Sequence, residues 1–202
     1  MQKFTVSTGV AVGFDASNID TDQIIPKQFL LAVDRKGFGK HLFHGLRYLD
    51  EAETQLNPDF ILNQPINAGA QFLVARENFG NGSSREHAPW ALLDYGFKAI
   101  IASSFADIFS NNSLGNGLLL VKLSETEIDE IMTILKARSG TQMTVSLEDM
   151  TVKIEDRTYT FNLDPFRRKC ILEGLDAVGL TLQHDDRIKA FEAKRAQWMA
   201  GE

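Results

Sequence analysis

Cysteine is almost absent: Cys170 is the only one in 202 residues. A single thiol excludes an internal disulfide framework and suits a reducing compartment, so a cytoplasmic location is expected. It also excludes an iron–sulfur cluster held by cysteines of this chain alone, which needs several thiolates. Long apolar runs are missing as well. Leu118-Leu119-Leu120-Val121 is cut short by Lys122, far below the roughly 20 residues that span a bilayer, so no membrane contact is expected. Residues 1–15 lack an apolar core behind basic residues, so no signal peptide is expected. Positive charge is in deficit, with 21 Lys and Arg against 27 Asp and Glu, a net charge of −6. With no broad basic surface, nucleic acid is not an expected partner. Any anion bound here must be small and met by local geometry.

Repeats and low-complexity linkers are also absent, and no internal boundary stands out. Residues 1–202 therefore read as one domain with a C-terminal helical extension. The remaining composition, 44% hydrophobic and 24% charged, is that of an ordinary globular protein. Residues 4–14 read as strand or hairpin. Pro26 can open a short helix over 27–31, and 37–58 reads as a long loop with short helices. Apolar strands at 71–75 and 98–102 flank a helical pattern at 84–95 closed by Gly96. This is a βαβ unit, so its two strands should be parallel. A helix at 105–112, a third strand at 117–123 and a helix at 125–137 follow. Ser124 and Glu127 carry the S-x-x-E spacing of a capping box at the start of that last helix. Short antiparallel strands are expected at 143–145, 151–154 and 158–161, then helices at 165–175 and 185–199. The last should align Ile188, Phe191, Trp198 and Met199 on one face.

The chemistry concentrates in Gly80-Asn81-Gly82-Ser83-Ser84-Arg85-Glu86-His87. Ser83 and Glu86 repeat the S-x-x-E spacing, which places a helix start at Ser83 or Ser84. Helix N-termini offer unpaired N–H groups and a positive dipole end to anions, and Arg85 adds a fork that matches a carboxylate. There is no P-loop lysine and no complete G-x-G-x-x-G, which disfavours nucleotides. A tight connection with an ordinary cap is the plainer alternative. Asp20-Thr21-Asp22 offers alternating oxygens to a hard cation but lacks the rest of an EF-hand loop. An Asx-stabilised turn is the plainer reading there. His41-x-x-His44 places two imidazoles on one face if that segment is helical, yet no third ligand stands out, so no metal site is expected. Cys170 reads as a buried, inert thiol, and Arg167-Arg168-Lys169 as a solvated or partner-facing basic patch.

The 80–87 turn, continued by Ala88-Pro89-Trp90-Ala91, resembles the signature of the aconitase-type swivelling domains. Further blocks in the same order extend the resemblance over nearly the whole chain. They are Asn18-Ile19-Asp20-Thr21-Asp22-Gln23-Ile24-Ile25-Pro26, Ser104-Phe105-Ala106-Asp107-Ile108-Phe109 and Asp164-Pro165-Phe166-Arg167-Arg168-Lys169-Cys170. The chain is similar to the free-standing form of that domain, the small subunits of isopropylmalate isomerases.

The resemblance implies an α/β fold, a three-layer β/β/α swivelling domain with parallel central strands and extra short antiparallel ones. It implies a large-subunit partner carrying a [4Fe–4S] cluster, whose iron acts as Lewis acid on the departing hydroxyl. The reaction it implies is interconversion of 2- and 3-isopropylmalate, a step of leucine biosynthesis, on a small hydroxy-dicarboxylate substrate. By position, Ser83 is the base, while Ser84, Arg85, Thr21 and Asp22 contact substrate. Phe29, Leu30 and Leu31 are candidates for an apolar specificity wall. The family's second substrate arginine has no clear counterpart, Lys27 and Arg35 being the nearest basic residues. Related hydro-lyases of the homoaconitase or methylmalate type, and a non-catalytic anion-binding module, are the competing readings. One conflict is built in: a base at Ser83 cannot also serve as the helix cap.

Overall fold

The computed structural model describes residues 1–30 and 35–195. Leu31 and the pair Trp198 and Met199 therefore lie outside the described residues. In chain order the elements are β1 (Val6–Phe14), α1 (Thr21–Ile24), α2 (His44–Arg47), β2 (Phe72–Ala75), α3 (His87–Tyr95), β3 (Ala99–Ala102), α4 (Asp107–Asn116) and β4 (Leu119–Lys122). Next come α5 (Glu125–Ala137), β5 (Gln142–Ser146), β6 (Thr151–Ile154), β7 (Arg157–Thr160), α6 (Pro165–Glu173), α7 (Ala177–Leu182) and α8 (Asp185–Glu192). The strands form one seven-stranded order, β4-β3-β2-β1-β5-β6-β7.

Strand β1 divides that order into two halves. Its first part, Val6 to Val10, pairs antiparallel with β5, and its second, Ala11 to Phe14, pairs parallel with β2. Strands β2, β3 and β4 continue the parallel half, while β6 and β7 continue the antiparallel one. In the parallel half every residue of β2 and β3 is buried, because successive side chains feed two different cores. Phe72, Val74, Ala99 and Ile101 face a cluster completed by α5 (Ile128, Ile131) and by Val145 and Val152 of the antiparallel half. Leu73, Ala75, Ile100 and Ala102 face the other cluster, completed by Ala88, Ala91 and Leu92 of α3 and Phe109 of α4. The layers are thus antiparallel sheet, parallel sheet and helices, the β/β/α arrangement expected.

Helix α5 begins as its spacing predicts, with Ser124 and Glu127 closing a reciprocal capping box. The 37–58 stretch holds a 3-10 turn (Gly39–His41) and α2. His41 and His44 fall in these two separate pieces, so no single helix presents both. Helix α8 is shorter than the expected 185–199 within the described residues. Neither α7 nor α8 buries a residue, and Phe191 is 69% exposed. No helix among the described residues is long and apolar enough to cross a membrane.

Candidate active site

All four parallel strands run towards one edge, and the loops leaving β1 and β2 meet there. After β1, Asp20 caps α1: its carboxylate accepts from Gln23 N at 2.7 Å, and its own N–H donates to Gln23 Oε1 at 3.0 Å. The Asx turn expected of Asp20-Thr21-Asp22 therefore exists, but Asp20 alone supplies it. Thr21 and Asp22 become the first helical residues and turn towards the loop after β2. Asp20 and Asn81 form a parallel bridge, Gly80 N donates to Ile19 O at 2.7 Å, and Thr21 N donates to Asn81 O at 2.9 Å. Asn18 and Asn78 flank the crossing, both left-handed (φ 57°), a conformation asparagine tolerates. Their side chains join at 2.8 Å.

Gly80 is required by this crossing. Its φ is +79°, and a Cβ there would lie 2.2 Å from the Phe109 ring. The chain then extends through Gly82 (φ +91°) to Ser83. Thr21, 2% exposed, donates its hydroxyl to Ser83 O at 2.8 Å. The hydroxyl of Thr21, a residue expected to contact substrate, is engaged inside the protein, where it fixes the turn.

The expected capping box at Ser83 does not form. Helix α3 starts at His87, its N-cap residue is Glu86, and no side chain caps it. Bonds to Ile19 and Thr21 hold residues 80–83 in a bend, so the helix cannot begin where local spacing would start it. Glu86 reaches instead to Asn116, accepting from its Nδ2 at 3.0 Å. The conflict between cap and base is thereby removed. Among the described residues, the hydroxyls of Ser83 and Ser84 and the N–H groups of Ser83 to Arg85 make no hydrogen bond, and both serines are exposed. Consecutive free N–H groups in a turn form an anion-receptive concavity.

Arg85 completes the set. Its side chain is 12% exposed, and Nη1 donates to Asp22 Oδ1, 63 residues away, and to Ile25 O at 3.3 Å. One prong is thus anchored, and Nε and Nη2 remain for a ligand. A second guanidinium, Arg35, lies over Trp90 at 5.2 Å and 4.0 Å from Glu86. No spacing signal in the sequence distinguishes it from Lys27. His87 packs against Trp90 (4.7 Å) and Phe38 (5.3 Å).

The candidate specificity residues Phe29 and Leu30 pack against the 37–58 stretch and the second core cluster. Phe29 stacks on His41 at 3.9 Å with planes 14° apart, and Leu30 packs beside it in the second core cluster. Glu53, which the spacing did not single out, joins the two histidines. It hydrogen-bonds His41 Nδ1 and lies 3.6 Å from buried His44 Nε2. No group of three or more His, Cys, Asp or Glu among the described residues is placed to hold a metal ion. Cys170 is buried in α6. Arg168 of the expected basic patch is tied to Leu147 O and Glu148 O rather than solvated.

A model of the aconitase C-terminal domain matches residues 1–126, and the chain belongs to that family. A second model, describing the C-terminal domain of the 3-isopropylmalate dehydratase small subunit, matches residues 178–199. Among solved structures, the chain is similar to 3-isopropylmalate dehydratase (leuD) from Methanocaldococcus jannaschii. That likeness has 27% identity, 93% of this chain and 99% of the other covered, and a TM-score of 0.66. It is also similar to aconitase X of Thermococcus kodakaraensis at 15% identity and TM-score 0.42, covering 75% of this chain and 91% of that one.

Proposed function

We propose that this chain is the small subunit of a 3-isopropylmalate dehydratase, a hydro-lyase interconverting 2- and 3-isopropylmalate in leucine biosynthesis. The 80–87 turn carries this reading: two unengaged serine hydroxyls stand beside a guanidinium fixed on one prong by Asp22. The family matches and the likeness to the M. jannaschii enzyme support it.

In this reading Ser83 Oγ takes the proton from the carbon next to a substrate carboxylate. A serine is a poor base, and its alkoxide needs preorganised donors and positive charge. The free N–H groups of the turn and the Arg85 guanidinium supply them. Arg85 grips the carboxylate through Nε and Nη2, and the Ser84 hydroxyl adds a third donor. Asp22 keeps the fork aimed, and Thr21 holds Ser83 in register. One buried thiol does not fit a [4Fe–4S] cluster, so the proposal assigns the cluster to a large-subunit partner. A reducing cytoplasm agrees with that division of labour.

Mixing the purified chain with a large subunit that bears the cluster, then assaying isopropylmalates, homocitrate and methylmalates, tests the reading. Turnover should be restored and be fastest on the isopropylmalates. Complex formation with no turnover on any acid would leave only a non-catalytic module.

A further inference from the structure

A cavity of about 220 Å³ opens at the outer end of the parallel half, between α4 and α6. It runs along one face of the edge strand β4, lined by Leu118, Leu120 and Lys122. None of residues 80–87 lines it. Its floor is aliphatic, made by Leu114, Leu118, Leu120 and Leu163, and its charged wall is Lys122 and Arg167. No acidic side chain is among the lining residues. The Lys122 ammonium makes no hydrogen bond or ion pair among the described residues. Arg167 gives one Nη2–H to Asn111 at 3.0 Å and enters no ion pair among them, so its Nε and Nη1 donors remain free.

Several cations elsewhere in this fold are matched by carboxylates. Arg76 meets Asp15 and Asp129, Lys136 meets Asp15, and Arg157 meets Glu130. Two uncompensated cations beside an apolar floor favour a ligand with one anionic head and a hydrocarbon tail. The space equals about seven water molecules at roughly 30 Å³ each, which suits a molecule of about eight heavy atoms. The rest of the polar lining, Ser104, Ser110 and Asn162, is neutral, so a second carboxylate on the same ligand would meet no further cation.

We infer that this cavity binds a short aliphatic monocarboxylate, with its head between Lys122 and Arg167 and its tail on the leucines. The site stands independently of the dehydratase reading, since it uses none of the turn residues.

Calorimetric titration of the full chain with 4-methylpentanoate tests it. Two controls dissect the ligand: 4-methylpentanol keeps the tail without charge, and acetate keeps the charge without a tail. Saturable binding of the acid is expected, with each control weaker by about tenfold or more. 2-Isopropylmalate, bearing the second carboxylate, should also bind more weakly at this cavity. Lys122→Glu and Arg167→Gln should each weaken the acid by about tenfold or more, whereas Arg85→Gln should leave it unchanged. Lys122 is exposed, so its variant keeps the fold and isolates the charge effect. Absence of saturation by about 10 mM, equal binding of the alcohol, or loss of binding in Arg85→Gln but not Arg167→Gln would overturn the assignment.

Discussion

The chain contains the same four-residue spacing twice, at Ser83 to Glu86 and at Ser124 to Glu127, and folds it in two different ways. At Ser124 the hydroxyl accepts from Glu127 N at 3.3 Å, Glu127 returns to Ser124 N at 2.8 Å, and α5 begins on the spot. At Ser83 no such exchange occurs, and α3 begins four residues later. Local chemistry is equal in the two places, so the difference is tertiary. Ser124 leaves the edge strand β4 with nothing pulling on it. Ser83 is held by Thr21 through its carbonyl, while Gly80 and Asn81 pair with Ile19 and Asp20. A cap uses its hydroxyl to stabilise the fold, whereas a serine displaced from the cap keeps that hydroxyl available for chemistry.

The largest expected effect separates the two serines directly. Removing a preorganised group at a reacting centre costs about 2.7–4 kcal/mol in the transition state, a hundredfold or more in rate. Ser83→Ala should therefore lower kcat of the reconstituted enzyme by at least that factor with an unchanged melting temperature. A large loss of melting temperature at normal specific activity would make Ser83 structural. Gly80→Ala should be the costliest change to stability in this region. The new Cβ meets the buried Phe109 ring at 2.2 Å and sits at φ +79°, and overpacking and left-handed strain together come to about 3 kcal/mol. Urea unfolding measures this, and a loss below about 1 kcal/mol would mean that α4 yields easily at Phe109. Thr21→Val keeps the volume and removes one bond to Ser83 O. It should cost about 1 kcal/mol of stability, and kcat should fall more than KM rises. Equal losses in both would return Thr21 to a substrate-binding role.

What could be read in the sequence follows the same division. The parallel strands, the βαβ unit, the Gly96 stop and the Ser124 cap depend on residues within a few positions of one another, and each lies where the pattern put it. The start of α3 depends on α1, some sixty residues earlier, and the pattern put it too early. The resemblance brought Thr21, Asp22, Ser83 and Arg85 to one place, and the fold joins them by direct hydrogen bonds. It could not show that Thr21 faces inward, because that depends on the bridge between Asp20 and Asn81. Glu53 escaped notice for a related reason: a loop, with no helical period, carries it to His41 and His44. Arg35 reaches α3 through Trp90 and Glu86, contacts that no spacing encodes.

The smaller effects sharpen the structural side of the pair. Ser124→Ala should cost about 1 kcal/mol, the usual value of an N-cap, with activity retained. At the other end of α5 the polar anchor is Asp15, which binds Lys136 in the last turn and Arg76, itself paired with Asp129. The Lys136 hydrogen bond, aided by Arg76 and opposed by partial burial, holds the Asp15 carboxyl below the usual carboxylate value. A carboxyl whose pKa is depressed by folding stabilises the protein above its unfolded value of about 3.9, and that contribution is lost as pH falls through the folded value. Asp15→Asn should therefore cost about 0.5 kcal/mol at pH 7, and the gap between variant and parent should close in acid. It should also shrink at high salt, because these groups are partly exposed. The Ser124→Ala gap involves a neutral hydroxyl that accepts from Glu127 N at 3.3 Å and donates to Glu127 Oε2 at 2.7 Å; with no pair of full charges, it should resist salt better. Equal salt sensitivity in the two variants would show that the Glu127 charge near the α5 dipole, rather than the cap geometry, holds that helix start.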